Sequence, residues 1–135
     1  MPVSSRQTAL NILNTLELSP YHLDRIFNDI TGKESDLLKR DRDFITSLVY
    51  GVLRWRNLLD WILSKHATIR VEKIDPCVLN ILRIGLFQIF HLDRIPVSAA
   101  VNTSVDMAKK SAPSWVVGFV NAVLRNAARN KSSLV

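Results

Sequence analysis

Acidic residues are absent from Met107 to Val135, a stretch that holds Lys109, Lys110, Arg125, Arg129 and Lys131. No local carboxylate balances those cations, so their counter-charge must come from the helix dipole or from a partner. Cysteine is nearly absent as well. A single Cys77 excludes an internal disulfide, and a reducing, cytoplasmic setting is the default expectation. No apolar run approaches the roughly 20 residues that cross a bilayer. The N-terminus MPVSSRQTALNIL lacks the basic start, apolar stretch and small-residue cleavage site of a secretory signal. No membrane partner is expected.

Glycine is scarce, with four in the chain, and none builds a phosphate-binding loop or a glycine-rich turn after a strand. No serine stands in a nucleophile elbow. His22, His66 and His91 are scattered, without the short paired spacing of a metal site. These absences leave no visible active site. They predict a chain that is not an enzyme by itself and carries no catalytic residue, metal or cofactor of its own.

What is present is an ordinary globular composition with an excess of base. The 135 residues are 47% hydrophobic and 22% charged, with a formal net charge of +6 and a pI near 9.9. One domain with a real core fits that length. The positive balance suits an anionic partner, nucleic acid above all, and it also suits a merely soluble protein.

Apolar spacing is helical nearly throughout. Ala9, Leu10, Ile12, Leu13 and Leu16 form one stripe, with Ser4 or Ser5 placed to cap its start. Leu23, Ile26, Phe27 and Ile30 form a second, ended by Thr31-Gly32, where Gly32 is placed for a left-handed cap. From Leu37 to about Ala67 the pattern is one long helix, or two with a kink between Gly51 and Arg56. Asp75-Pro76 starts the next helix as N-cap and first helical residue. Its continuation, CVLNILRIGLFQIFHL, is apolar almost all round and predicts the buried centre of a bundle. SAAVNTSVDMAKK makes a shorter amphipathic helix, Pro113-Ser114 introduces the last one, and NKSSLV reads as a loose tail. The fold class is all-α.

Basic surface is the feature left to carry function. On the last helix Gly118, Asn121, Ala122, Arg125 and Arg129 share one side, while Phe119, Val120, Val123, Leu124 and Ala127 fall largely on the other. Arg125 and Arg129, four apart, face the same way and repel by roughly 0.2–0.5 kcal/mol. Position near a helix C-terminus accounts for Arg125, Arg129 and Lys131 at about 0.3–1 kcal/mol each. It does not account for Lys109 and Lys110. Those two close one helix, a short connection follows, and a capped start at Ser114 would offer free N–H groups close by, an arrangement that can hold phosphate. A plain lysine-rich helix end is the competing reading. In LLKRDRDF, Lys39, Arg40 and Arg42 face Asp41 and Asp43 as a solvated helix start with local ion pairs. Arg54 and Arg56 flank Trp55, which suits base stacking and equally a core tryptophan between two solvated arginines. Asp75-Pro76-Cys77 also admits two readings. A Pro-Cys pair houses the nucleophile of cytosine-5 methyltransferases, and a helix start lowers a thiol pKa. A cysteine is otherwise a small buried hydrophobe, and with no cofactor loop in the chain packing is the better account.

RIPVSAAVNTSVDMAKK followed by GFVNAVLRNAAR closely resembles the paired C-terminal motifs of the NusB family. Those run approximately VPxxxAVNEAVELAK and then FVNAVLR. RDRDFITSLVYGVLRWRNLLDWIL resembles the NusB-like N-terminal domain of bacterial rRNA cytosine-5 methyltransferases of the RsmB or Sun type. Free-standing NusB proteins usually lack the RWR segment and usually read FVNGVLD. The likeness covers Arg6 to about Arg129, with Thr103 standing where the family usually has Glu. It implies a bundle of about seven helices over residues 1–130, with 131–135 as a tail or the start of a linker. It also implies RNA binding, with contacts that map to Arg6, Ser114, Trp115 and Phe119, beside the cationic set Lys109, Lys110, Arg125 and Arg129 and the weaker candidates Arg54 and Arg56. The first functional expectation is a non-catalytic accessory domain for ribosomal RNA, serving a methyltransferase domain in cis that would hold S-adenosylmethionine. A free-standing antitermination factor that binds RNA with a ribosomal protein is the second. A module that docks on a methyltransferase domain through its basic face is the third.

Overall fold

The computed structural model describes residues 4–19, 21–32 and 37–134, and the regular structure among them is helical. Seven helices carry the fold: α1 Ser5–Leu18, α2 Leu23–Gly32, α3 Lys39–Arg54, α4 Arg56–His66, α5 Pro76–His91, α6 Val97–Ser111 and α7 Ser114–Arg129. A single 3-10 turn, Val71–Lys73, precedes α5, and a last helical turn, α8 Lys131–Leu134, follows α7.

The caps read in the sequence form at two starts. Ser4 accepts a hydrogen bond from the Gln7 N–H at 3.1 Å, and Asp75 accepts from the N–H groups of Cys77 and Val78 at 3.1 and 3.4 Å. Of the two readings for residues 37–67, two helices is correct. They meet at Trp55, whose φ of −103° and ψ of 15° leave the helical basin. Three local expectations are corrected. Among the described residues no glycine has positive φ, so Gly32 ends α2 as a helical residue and not as a left-handed cap. Ser114 does not cap α7. Pro113 holds the N-cap position with an extended φ of −69° and ψ of 162°, values that its ring already favours, and Ser114 is the first helical residue. Finally, NKSSLV is not a loose tail over residues 131–134, where Lys131–Leu134 complete a helical turn and the Lys131 ammonium lies 5.9 Å from the Phe90 ring centre.

Helix α5 is the axis of the bundle and packs on α1, α3, α4, α6 and α7. Every residue from Asn80 to Ile89 is buried, as an all-round apolar helix requires. Gly85 allows the closest approach. A Cβ there would meet the Ser104 hydroxyl at 2.8 Å and Leu124 at 2.9 Å, so α6 and α7 reach α5 only because that atom is missing.

Three polar side chains on this buried helix have partners, as burial demands. Gln88 accepts from the Arg6 Nε at 2.7 Å and donates to the Ile84 carbonyl at 3.1 Å. Arg83 donates to both oxygens of Asp60 on α4, at 2.8 and 2.9 Å, and to Asn80 at 3.0 Å. Asn80 in turn donates to Asn14 on α1 at 3.0 Å. This chain of bonds ties α1, α4 and α5 together.

Candidate nucleic-acid interface

Helices α6 and α7 form an antiparallel pair around the turn at Ala112 and Pro113. The Ala112 N–H donates to the Ala108 carbonyl at 2.9 Å and closes α6, which leaves Lys109 and Lys110 exposed on its last turn. Across the turn, the Val116 and Val117 N–H groups both donate to the Pro113 carbonyl, at 3.0 and 3.2 Å. Ser114 and Trp115, ahead of them, are exposed, and Trp115 is 66% accessible. The structure therefore sets Lys109, Lys110, Ser114 and Trp115 around one turn. A phosphate held there would meet two ammonium groups and the positive end of a 16-residue helix.

Along α7 the division into faces is the one read from spacing. Val116, Val120, Val123, Leu124 and Ala127 are buried, and Gly118, Ala122, Arg125 and Arg129 are exposed. Arg125 and Arg129 stand roughly three and four turns beyond the α6–α7 turn. The Arg125 Nε donates to Asn121 at 2.9 Å, which pins the side chain along the outer face. Among the described residues neither arginine, nor Lys109 or Lys110, is in an ion pair. Phe119 is half-buried and packs on the core, where with Ile69, Val78 and Trp115 it lines a cavity of about 200 Å³.

Arg6 belongs to a different part of the surface. Besides its bond to Gln88, its guanidinium lies 5.2 Å from the Phe44 ring centre, and burial pushes its pKa below the ordinary arginine value. It is anchored inward. Phe44, however, floors a cleft of about 280 Å³ that Arg40 and Arg94 also line. Both of those arginines are exposed, and among the described residues neither is ion-paired. The sequence reading passed over Arg94 and assigned Arg40 to local pairing. Among the described residues the ion pair of that segment joins Lys39 to Asp43 at 3.1 Å. A signal was available in HLDRIP, an arginine in a short connection beside a proline, where no helix face hides it.

The RWR segment does not offer free rings to a base. Trp55 is 38% exposed, so it is not the core tryptophan expected. Its ring stacks on His91, with centroids 4.9 Å apart, and the Arg54 guanidinium lies 5.5 Å from its centre. Arg56 turns toward Glu17 at 3.5 Å. Burial lowers the pKa of His91, and the nearby Lys131 lowers it further.

The sequence model of the NusB family matches residues 3–129. This chain belongs to the NusB family. It is 39% identical to the transcription antitermination protein NusB of Ruminiclostridium cellulolyticum, over 90% of this chain and 83% of that protein. It is 36% identical to a probable ribosomal RNA small subunit methyltransferase B of Synechocystis, over 91% of this chain but 27% of that protein. A crystal structure of antitermination factors NusB and NusE with double-stranded RNA superimposes with a TM-score of 0.83 at 23% identity, covering 93% of each chain. At that identity the likeness shows the NusB fold.

Local geometry gives Thr103 and Cys77 partners within the fold. Thr103, in place of the usual Glu, donates its hydroxyl to the Ala99 carbonyl at 2.7 Å and is satisfied within α6. Cys77 is partly buried, and its Sγ accepts from Asn14 at 3.3 Å. Cys77→Ala should cost about 1 kcal/mol, the worth of one such bond, measured by urea denaturation, and should leave RNA affinity unchanged. Loss of any methyl transfer by this chain on that substitution would instead mark a nucleophile.

Proposed function

We propose that this protein is a non-catalytic RNA-binding factor of the antitermination type, which engages RNA together with a protein partner of the ribosomal kind. One observation carries the reading: the α6–α7 turn and the outer face of α7 hold Lys109, Lys110, Arg125 and Arg129, none of them ion-paired among the described residues. Two relatives that this chain spans to 83% of their length are both antitermination proteins. A NusB of the same fold is seen with NusE and double-stranded RNA. The reading expected first from the RWR segment, an accessory domain beside a methyltransferase domain in cis, rests on matches to 27% and 28% of the length of two ribosomal RNA methyltransferases. That share supports a common domain and not the activity of the longer proteins.

RNA would lie along the outer face of α7, its phosphates met by Lys109 and Lys110 at one end and by Arg125 and Arg129 further on. Trp115 offers a ring for an unstacked base at the turn. Arg40 and Arg94, around the Phe44 cleft, extend the basic surface beside Arg6. Binding of RNA oligonucleotides should weaken steeply with salt, because each neutralised phosphate releases counterion. Lys109→Ala with Lys110→Ala should lower affinity about equally across RNA sequences and flatten the salt slope by roughly one to two units. Arg40→Ala with Arg94→Ala should flatten it further if the RNA reaches that cleft. Melting temperature is the control, since exposed substitutions shift stability by about 0.5 kcal/mol or less. A lysine double variant that binds RNA as tightly as the parent at low salt places the interface elsewhere.

A further inference from the structure

The outer face of α4 has no role in the RNA reading, and its chemistry differs from that of the tail. Leu58 and Trp61 lie three apart and Lys65 four beyond, so they share one face. Leu58 is 39% and Trp61 46% exposed, and Trp55, just before the helix, continues the same surface. The Lys65 ammonium lies 5.2 Å from the Trp61 ring centre, and the Arg54 guanidinium 5.5 Å from that of Trp55. An apolar strip thus runs between two cations that already lean on its tryptophans. Between Leu53 and Val71 the one carboxylate is Asp60, and both its oxygens are bonded to Arg83. Arg54 and Lys65 form a basic rim to the strip, and among the described residues neither is ion-paired.

We propose that this face is a docking surface for a protein segment with an apolar ridge and flanking carboxylates. Large apolar side chains left uncovered in a contiguous patch with a polar rim mark interaction sites, and tryptophan and arginine are among the residues enriched at the energetic hot spots of protein interfaces. RNA fits less well. Base stacking needs an open ring face, but Trp55 has His91 stacked on its ring at 4.9 Å between centroids and the Arg54 guanidinium 5.5 Å from its centre. Leu58, between Trp55 and Trp61, has nothing to offer a base or a phosphate. A second copy of this chain fits worse, since it would set Arg54 and Lys65 against like charges in a protein of net charge +6. The inference stands on the α4 surface alone and is independent of the RNA reading.

The test uses the full chain and a synthetic helical peptide with leucines at helical spacing flanked by glutamates. Two control peptides carry lysine for glutamate or serine for leucine, and a single-stranded RNA oligonucleotide is the competing ligand. Binding is followed by the indole N–H signals of Trp55 and Trp61 in NMR. The acidic leucine peptide should shift both signals saturably, and neither control peptide should. Leu58→Glu and Lys65→Glu should each weaken that binding roughly tenfold or more, while Lys109→Ala with Lys110→Ala leaves it unchanged. Circular dichroism establishes that the variants are folded. The proposal is overturned if the lysine or serine peptide binds equally well, if RNA rather than peptide shifts these two signals, if the signals shift with protein concentration alone, or if Leu58→Glu binds like the parent.

Discussion

Replacing Arg83 with methionine should remove about 3–5 kcal/mol of stability, the usual cost of breaking a buried ion pair from one side. Domains of this kind have roughly 5–15 kcal/mol in total, so the variant should be marginal at best. The Arg83 side chain is 4% exposed and Asp60 25%. Methionine would fill much of the volume but leave the Asp60 carboxylate without its two bonds and the Asn80 side-chain oxygen without its donor. It would also take away the second cation near Glu17, which lies 3.9 Å from Arg83 and 3.5 Å from Arg56. The cost is thus the desolvation of what remains. Changing Asp60 to leucine in the same chain should recover most of the loss, because an apolar pair of similar volume is often as stable as the ionic one. Urea denaturation of the parent, the single and the double variant measures each step. A single variant as stable as the parent would mean that α1, α4 and α5 are held by apolar packing alone.

That network also shows where the sequence stopped being legible. Periodicity made α5 the centre of the bundle, since Ile81, Leu82, Ile84, Leu86, Phe87 and Ile89 point around most of its circumference. The same apolar run hid the meaning of Asn80, Arg83 and Gln88. A charged residue in a helix reads as solvent-facing unless its partner is known. The partner of Arg83 is Asp60, 23 residues away, and that of Gln88 is Arg6, 82 residues away. Tertiary pairing at such distance leaves no local pattern. The tail behaved differently. Its stripe follows from helical spacing and from the missing acids, both local, so the exposed set Lys109, Lys110, Arg125 and Arg129 was readable. Arg94 was missed because a loop has no periodicity to read.

Gly51→Ala should be the next most disruptive change, although alanine is the better helix former. Gly51 lies within α3, where alanine would otherwise gain up to about 1 kcal/mol over glycine. A Cβ at this position falls on the ring of Phe87. The ring cannot retreat easily, because its other neighbours include His91, stacked at 5.2 Å, and His91 is stacked on Trp55. Overpacking of this kind costs about 1–3 kcal/mol, so the packing term offsets or outweighs the propensity gain and the net loss should reach up to about 2 kcal/mol. For a domain of this size that is up to roughly 8 °C of melting temperature. Displacement of the ring would also pass through His91 to Trp55, so tryptophan fluorescence should change along with stability. Phe87→Leu supplies the decisive comparison. Alone it opens space and destabilises, but combined with Gly51→Ala the smaller side chain accepts the new methyl. The double variant should therefore be more stable than the sum of the two single losses predicts, by about 1 kcal/mol or more. Strict additivity would show that α3 shifts as a body to admit the methyl and that Phe87 does not set its distance from α5.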